Sequence, residues 1–290
     1  MEGIIVVNKS KGWTSNDIVN KVKHILKCKV GHTGTLDPNA TGVLPLLLGK
    51  GTKFSKYLIN HDKKYCATLQ LGAKTTTADI EGKIIEEQNV DSSIYNEVNI
   101  QKALKKFIGK NIQTPPIYSA IKINGKKLYE YARNGEDVKI PTRQIEIYSI
   151  DLVSMDKETN QIVFEVECSK GTYIRALCED IASSLGTIGF MKELNRLVVG
   201  DFKIEDAVSI EEIEQYKDDK NWLQNHVITL ENLLISSKEI NIEDKKIDKY
   251  LNGVNISVNI PDGIYRIYNN GTFIGSGLVK NNFLKRDIVL

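Results

Sequence analysis

The spacing of apolar and polar residues predicts that helices and strands are mixed along this chain. Ile4–Asn8 is an apolar run typical of a buried strand. After possible cap residues at Thr14–Asn16, apolar side chains recur at helical spacing from Ile18 to Leu26. Tyr65–Gly72 alternates as strands do, and we expect Lys83–Glu87 to pair with it across a glycine turn.

The middle of the chain continues this mixture. Asn99–Ile108 is predicted to form a short amphipathic helix, and Ile145–Met155 and Gln161–Ser169 are predicted to be strands. Thr172–Leu185 has helical spacing, and the acidic segment after Asp201 is predicted to be helical and exposed. Because strands and helices do not alternate regularly, the pattern favours an α+β fold over a doubly wound sheet.

The character of the sequence changes beyond Ser236. A helical segment, Asp244–Leu251, is followed by short strand-like runs that are separated by glycines and by asparagines. Several short strands at that spacing predict a small β-barrel. We therefore expect a large domain over residues 1–235 and a small β-rich domain over residues 236–290.

Overall charge is nearly balanced, with 39 basic and 37 acidic residues and a formal net charge of +2. The distribution is uneven, because residues 1–64 contain eleven lysines against four acidic residues. Such a block suits one face that meets a polyanion, but solvated surface lysines explain it equally well. Charge alone leaves both interpretations open.

The four cysteines lie at wide, irregular spacings without a C-x-x-C pair. This pattern argues against a zinc site and against a disulfide framework, and it fits a reducing cytosol. The N-terminal apolar run, Ile4–Val7, is far shorter than a signal peptide or a membrane span requires. We expect a cytoplasmic protein that does not associate with a membrane.

One glycine-rich segment, Gly31–Gly42, contains a single acidic residue, Asp37, directly before Pro38. A residue before proline is restricted to extended geometry, which can project the Asp37 carboxylate from a rigid loop. The ordinary alternative is an aspartate that caps backbone amides of its own turn. Phosphate-binding, serine-hydrolase and zinc-protease motifs are all absent from the sequence.

The segment G-H-T-G-T-L-D-P-N-A-T-G-V-L-P, from Gly31 to Pro45, resembles the catalytic motif of the TruB family of pseudouridine synthases. Ser10 stands where the N-terminal motif of that family usually has proline. The other segments that carry the resemblance are Val7–Asp17, Lys63–Tyr65, Leu71–Gly82, Pro115–Arg133, Cys168–Arg175 and Leu194–Leu197. The likeness covers almost the whole chain and weakens from Asp201 to Ser236.

The resemblance implies a pseudouridine synthase catalytic domain with a mixed, largely antiparallel central sheet, and a small PUA-like RNA-binding domain at the C-terminus. It also implies an activity, the isomerisation of the T-loop uridine at position 55 of tRNA to pseudouridine. The glycosidic bond breaks, the uracil rotates, and C5 bonds to C1′ of the same ribose. This rearrangement requires no cofactor and no metal.

The resemblance further assigns roles to particular residues. Asp37 is the catalytic carboxylate, which either attacks C1′ or removes a proton from C2′. Arg175 is expected to orient Asp37 through a bidentate contact and to keep it ionised. Tyr65 is expected to stack on the target base and is a candidate base at C5, and Tyr173 and Leu194 are expected to line the pocket.

Two further residues are assigned by the same resemblance. His32 is expected to enter the tRNA loop in place of the extruded base, and Lys9 to support the N-terminal strand near the site. The expected partner is the T stem-loop of tRNA, bound by a monomer with no obligatory protein partner.

Two alternatives remain open from the sequence. A guide-RNA-dependent relative would keep the Asp37 motif, although such enzymes have a larger C-terminal platform. A non-catalytic tRNA-folding chaperone would not need the set of Asp37, Tyr65 and Arg175, and a chaperone role can coexist with catalysis.

Overall fold

The computed structural model describes residues 1–290 and has the predicted α+β architecture. The strands are β1 (Gly3–Lys9), β2 (Val30–His32), β3 (Thr41–Leu48), β4 (Lys63–Leu71), β5 (Ala73–Thr75), β6 (Ile84–Glu87), β7 (Gly109–Gln113), β8 (Lys122–Ile123), β9 (Lys126–Lys127), β10 (Arg143–Asp156), β11 (Gln161–Cys168), β12 (Gly189–Val199), β13 (Phe202–Lys203), β14 (Val227–Ile228), β15 (Lys238–Asn241), β16 (Ile256–Ser257), β17 (Gly263–Asn269), β18 (Thr272–Lys280) and β19 (Phe283–Val289). The helices are α1 (Ser15–Leu26), α2 (Ser55–Leu58), α3 (Glu97–Lys105), α4 (Leu128–Arg133), α5 (Ile174–Ser184), α6 (Ile210–Tyr216), α7 (Lys220–His226), α8 (Leu230–Leu233) and α9 (Asp244–Leu251). None of them is long and apolar enough to cross a lipid bilayer.

A ten-stranded sheet forms the centre of the molecule, with the main strand order β14-β1-β3-β12-β4-β11-β10-β7. Neighbouring strands are antiparallel throughout, except that β3 and β12 are parallel. This confirms the expected mixed, largely antiparallel sheet. The parallel junction is short, with only Thr41–Asn195 and Gly42–Arg196 in register.

Gly42 is required at this junction. Its φ angle is +102°, and a Cβ atom there would lie 2.2 Å from the carbonyl oxygen of Arg196. Any larger residue would force β3 and β12 apart, because a contact of that length with backbone cannot be relieved by a side-chain rotation. The glycine therefore permits the two halves of the sheet to meet.

Apolar residues on both faces of the sheet form its core. One face packs against α3 and α5 and includes Ile100, Leu177 and Phe164. Along β3, Leu44 and Leu46 pack toward α1 and α6, whereas Val43 and Leu47 face a separate cluster with Val199 and Phe202. β3 is therefore buried on both sides, which explains its uninterrupted apolar sequence.

The predicted pairing of Lys83–Glu87 with Tyr65–Gly72 is wrong. Both edges of β4 are already occupied, by β11 on one side and by β12 on the other. The strand β6 instead pairs with the short strand β5, which follows β4 directly after a turn at Gly72. The hairpin was predicted one strand too early, because β5 has only three residues and little strand signal of its own, whereas β4 alternates clearly.

A second, five-stranded sheet contains only strands from Lys238 onward, in the order β15-β17-β18-β19-β16. Its end strands β15 and β16 do not pair with each other, so the hydrogen bonding leaves the expected barrel open. The sheet docks on α2, where Lys56 and Tyr57 both contact the carboxylate of Asp287. Lys53, just before α2, donates to the carbonyl of Val289 at 2.7 Å.

Candidate active site

A cleft of about 490 Å³ opens where the loop after β2, the strands β4 and β12, and the start of α5 converge. It brings together five of the seven residues predicted from the sequence, namely Asp37, Tyr65, Tyr173, Arg175 and Leu194. Lys9 lies beneath the cleft, and His32 lies outside it. The volume of the cleft lies within the range of about 300–1,000 Å³ that is usual for ligand-binding pockets.

Lys9 fixes the loop that carries Asp37. Its side chain is 0% exposed, and its ammonium donates to the carbonyls of Ser10 (3.0 Å), Trp13 (2.7 Å) and Pro38 (3.0 Å). Burial lowers the pKa of Lys9 to about 8, and the nearby Asp37 carboxylate opposes that shift. All three ammonium protons are donated, so Lys9 holds the backbone of Pro38, the residue that follows Asp37, in place.

The other side of the loop is held by the start of α1. The Ser15 hydroxyl donates to the carbonyl of Leu36 at 3.2 Å and accepts from its backbone amide at 2.9 Å. The backbone amide of Gly12 donates to the carbonyl of Pro38 at 2.9 Å. The backbone of Asp37 is thus restrained at the residue before it and at the residue after it.

Replacing Lys9 with methionine should lower the free energy of unfolding by about 2–4 kcal/mol, because three carbonyls lose their donor. It should also slow catalysis, since the loop loses its clamp. The matched control is Lys11→Met, because the Lys11 side chain is mostly exposed and its single salt bridge, to Glu193, is long at 3.7 Å. Urea unfolding of both variants measures the effect, and equal stabilities would show that Lys9 does not clamp the loop.

Arg175 lies between two carboxylates. Its Nε is 3.3 Å from Oδ2 of Asp37, and its Nη1 is 3.3 Å from Oδ2 of Asp79. Its terminal nitrogens also donate to the carbonyls of Thr77 (3.3 Å) and Tyr118 (3.0 Å). A bidentate contact with Asp37 was predicted from the sequence, whereas the guanidinium is shared among four partners, because Asp79 and two carbonyls compete for its terminal nitrogens.

Asp79 is the main residue that the sequence analysis did not single out. It is 6% exposed, and its Oδ1 accepts hydrogen bonds from the Thr77 hydroxyl (2.5 Å) and from the amide of Glu81 (3.1 Å). Both oxygens of the Asp79 carboxylate therefore have partners. Asp79 contacts Nη1 of Arg175, whereas Asp37 contacts Nε. The signal was present, since Asp79 belongs to the segment Leu71–Gly82 that carries the family resemblance.

The Asp37 carboxylate is tuned by opposing effects. Burial raises its pKa, Arg175 lowers it, Asp79 raises it and Lys9 lowers it. The side chain is nevertheless 38% exposed, and that exposed part opens into the cleft. The result is a partly desolvated carboxylate that depends on Arg175 to stay ionised and that can reach a ligand.

Tyr65 extends from β4 into the cleft and is 8% exposed. Burial raises the pKa of its phenol, and the guanidinium of Arg196 opposes that shift. The phenol is therefore protonated at neutral pH, and it must give up that proton before it can act as a base. Arg196 is itself 2% exposed and donates to the carbonyls of Val43 (2.8 Å) and Gly34 (3.1 Å).

Tyr173 is the N-cap residue of α5, and its backbone is held by the side-chain amide of Gln113. Gln113 donates to the carbonyl of Tyr173 at 3.0 Å and accepts from its amide at 2.8 Å. On the ring, the guanidinium of Arg143 lies 5.5 Å from the centroid. These contacts fix the direction in which α5 presents Arg175.

Leu194 and His32 were both predicted to belong to the site, but only Leu194 lines the cleft. Leu194 belongs to β12, is 9% exposed and lines the cleft, as expected from the sequence. His32 ends the short strand β2, opposite Leu46 of β3, and does not line the cleft. Burial lowers the pKa of His32, and its Nδ1 has no hydrogen-bond partner.

Comparison with known sequences identifies the relatives of this chain. A family model described as the N-terminal domain of the TruB family pseudouridylate synthases matches residues 21–174, and one described as the tRNA pseudouridylate synthase B C-terminal domain matches residues 175–235. The chain is 43% identical over 289 residues to tRNA pseudouridine synthase B of Clostridium kluyveri, covering 97% of this chain and 96% of that protein. It is 36% identical over 298 residues to tRNA pseudouridine synthase B of Francisella philomiragia, covering 100% and 97%.

Comparison with solved structures gives the same fold. A chain of a Cbf5–Nop10–Gar1 complex superposes with a TM-score of 0.71 at 24% identity, covering 99% of this chain and 84% of that chain. A chain of the archaeal box H/ACA Nop10–Cbf5 complex gives 0.70 at 23% identity, covering 99% and 85%. The fold and the family matches together define a pseudouridine synthase. Within that class, the chain belongs to the TruB family.

Proposed function

We propose that this protein converts the T-loop uridine at position 55 of tRNA to pseudouridine, with Asp37 as the catalytic carboxylate. The observation that carries the proposal is a partly exposed carboxylate in a cleft of about 490 Å³, 3.3 Å from the buried guanidinium of Arg175. Relatives named tRNA pseudouridine synthase B that match this chain over nearly its full length support tRNA as the substrate.

The target uridine must leave the T-loop to reach Asp37, because the carboxylate lies inside the cleft. Flipping a base costs roughly a few kcal/mol. Stacking on an aromatic ring such as Tyr65 returns about 1–3 kcal/mol per base. Leu194 closes the apolar side of the same cleft, and His32, at its outside, is proposed to occupy the place that the base leaves in the RNA loop.

The chemistry is an isomerisation, so atoms and electrons balance within the nucleotide. The bond between N1 and C1′ breaks, C5 forms a new bond to C1′, the proton on C5 is lost and N1 gains a proton. Asp37 either attacks C1′ or removes the proton from C2′, and both roles require its ionised form. Arg175 favours that form, and Tyr65 is proposed to receive the C5 proton after its own proton has left.

Binding of the tRNA is proposed to use the lysine-rich residues 1–64 and the C-terminal sheet as a PUA-like RNA-binding unit over residues 236–290. Lysine contacts with phosphates release counterions, so affinity should fall steeply with salt. The protein is proposed to act as a monomer in the cytoplasm without a protein partner, and a tRNA-folding activity can coexist with the modification.

The direct test is incubation of the purified protein with an unmodified tRNA transcript. Pseudouridine is then mapped by carbodiimide treatment and primer-extension stops, in parallel with a separate T stem-loop. We expect one strong stop at the T-loop uridine in both RNAs. A stop at another uridine would refute the assigned position, and a reactive tRNA with an inert stem-loop would show that recognition extends beyond the stem-loop.

A further inference from the structure

Two lysines line the cleft without an ionic partner. Lys63 donates a hydrogen bond to the carbonyl of His61, and Lys170 donates to the side-chain oxygen of Asn60 at 2.6 Å. Neither ammonium forms an ion pair, whereas Lys64, the next residue on the strand, pairs with Glu165 at 2.6 Å. The cleft thus holds two ammonium groups that form no salt bridge within the protein.

The backbone around both lysines is fixed. Lys63 begins β4 and is paired with Cys168 of β11 and with Val199 of β12. Lys170 follows β11 in a loop whose first residue, Ser169, exchanges backbone and side-chain hydrogen bonds with Glu146 at 2.8 and 2.9 Å. Both lysines therefore extend from backbone that hydrogen bonds hold in place. Together they form a basic wall of the cleft.

The electrostatics of this wall favour an anion. Burial lowers the pKa of Lys63, and the positive charges of Arg196 and of Lys170 act in the same direction, whereas Cys168 and Asp62 raise it. The eleven-residue helix α5 also begins in the cleft at Ile174, without a side-chain cap and without an acidic residue in its first turn. The positive end of its dipole adds to the two ammonium groups.

Polar atoms elsewhere in the cleft also lack partners. Thr33 and Ser119 line the cleft and are only 9% and 6% exposed, and their buried hydroxyls have no hydrogen-bond partner within the protein. A buried polar group without a partner costs free energy that a ligand can recover. The two lysines make this part of the cleft favourable for a polar ligand that carries negative charge.

We propose that Lys63 and Lys170 bind a phosphodiester group next to the target uridine. The inference rests on the proposed function, because it takes the occupant of the cleft to be a nucleotide of an RNA chain. In RNA the phosphodiester is the anionic group, and an ammonium binds it as a point charge. A phosphate held by this wall anchors the ribose of the flipped nucleotide while Asp37 acts on it.

The test combines charge removal on both partners. Lys63→Met, Lys170→Met and the double variant are titrated with a T stem-loop that has all its phosphates, or a single neutral methylphosphonate on the 5′ or the 3′ side of the target uridine. With the natural RNA, each single variant should bind about tenfold more weakly. Each should also lower the slope of log affinity against log salt by about one.

The decisive result is the coupling between protein and RNA. We expect one of the two methylphosphonates to weaken binding to the unmodified protein about tenfold and to have no further effect on the double variant. Lys74→Met is the matched control, because Lys74 is paired with Glu179 at 3.9 Å, does not line the cleft and lies outside the residues proposed to bind the RNA. It should bind all three RNAs as the unmodified protein does.

Additive losses with both methylphosphonates would overturn the phosphate site, as would unchanged affinities in both lysine variants. Lys63→Arg and Lys170→Arg should retain most of the affinity, which separates loss of charge from loss of fold. Binding is measured without turnover. A coupled phosphate in a protein that makes no pseudouridine would therefore refute the proposed function alone, whereas an active protein without coupling would refute the phosphate site alone.

Discussion

Asp37→Asn is expected to lower the single-turnover rate by about 10⁴-fold or more while the dissociation constant for tRNA changes only a few fold. Asparagine is nearly isosteric with aspartate, and the loop is held through Lys9 and Ser15 rather than through the Asp37 carboxylate. The amide, however, can neither attack C1′ nor accept the C2′ proton. The variant should therefore keep the shape of the side chain and the affinity for tRNA, and lose the isomerisation reaction.

Tritium release from C5-labelled tRNA, with enzyme in excess, measures this rate. Asp218→Asn makes the same change at an exposed position and should leave the rate unaltered. Pseudouridine formation by Asp37→Asn at more than about one hundredth of the unmodified rate would remove Asp37 from its central role.

The second large effect is expected from Arg175, which compensates two carboxylates. Arg175→Met should slow the reaction about a hundredfold or more at neutral pH, because Asp37 and Asp79 then repel each other without a cation between them. Arg175→Lys should recover only part of the loss, because an ammonium cannot contact both carboxylates and the carbonyls of Thr77 and Tyr118 at once.

The dependence of the rate on pH shows in which direction Arg175 and Asp79 each shift the pKa of Asp37. Asp37 must be ionised, burial already raises its pKa, and Arg175 is the strongest influence that lowers it. Removal of Arg175 should therefore move the acidic limb of the rate profile to higher pH, with the largest deficit in acid. Asp79→Asn removes a charge that raises the pKa of Asp37, so its acidic limb should move to lower pH. Identical limbs in both variants would contradict this electrostatic account.

The sequence was sufficient to predict the elements whose residues show a clear period. α9 has the predicted bounds, and α1 begins after Thr14, where a capping box with Asp17 satisfies the first amides. β12 was not predicted, although it pairs with β3 and β4 at the centre of the sheet. Two irregularities, at Met191–Glu193 and at Arg196–Val198, disrupt its alternation of apolar and polar residues.

The site residues were found through their motif rather than through any periodic pattern. Asp37 and Arg175 were paired in the prediction and lie 3.3 Å apart in the structure, although their catalytic roles stay predictions. Asp79 and Arg196 were not assigned roles, because both are charged residues whose importance comes from burial. Burial of a charge depends on contacts from distant strands, which local sequence does not specify.

The parallel junction of β3 with β12 has a consequence for how the active site comes into existence during folding. Lys9 and Asp37 belong to the half of the sheet on one side of that junction, and Tyr65, Arg175 and Leu194 belong to the half on the other. Arg196 joins the halves through the carbonyl of Val43, which is 153 residues away in sequence. Contacts over such separations carry a large loop-closure entropy and form late. The catalytic cleft is therefore a property of the completed fold, and we expect a chain in which the two halves of the sheet have not met to have no active site.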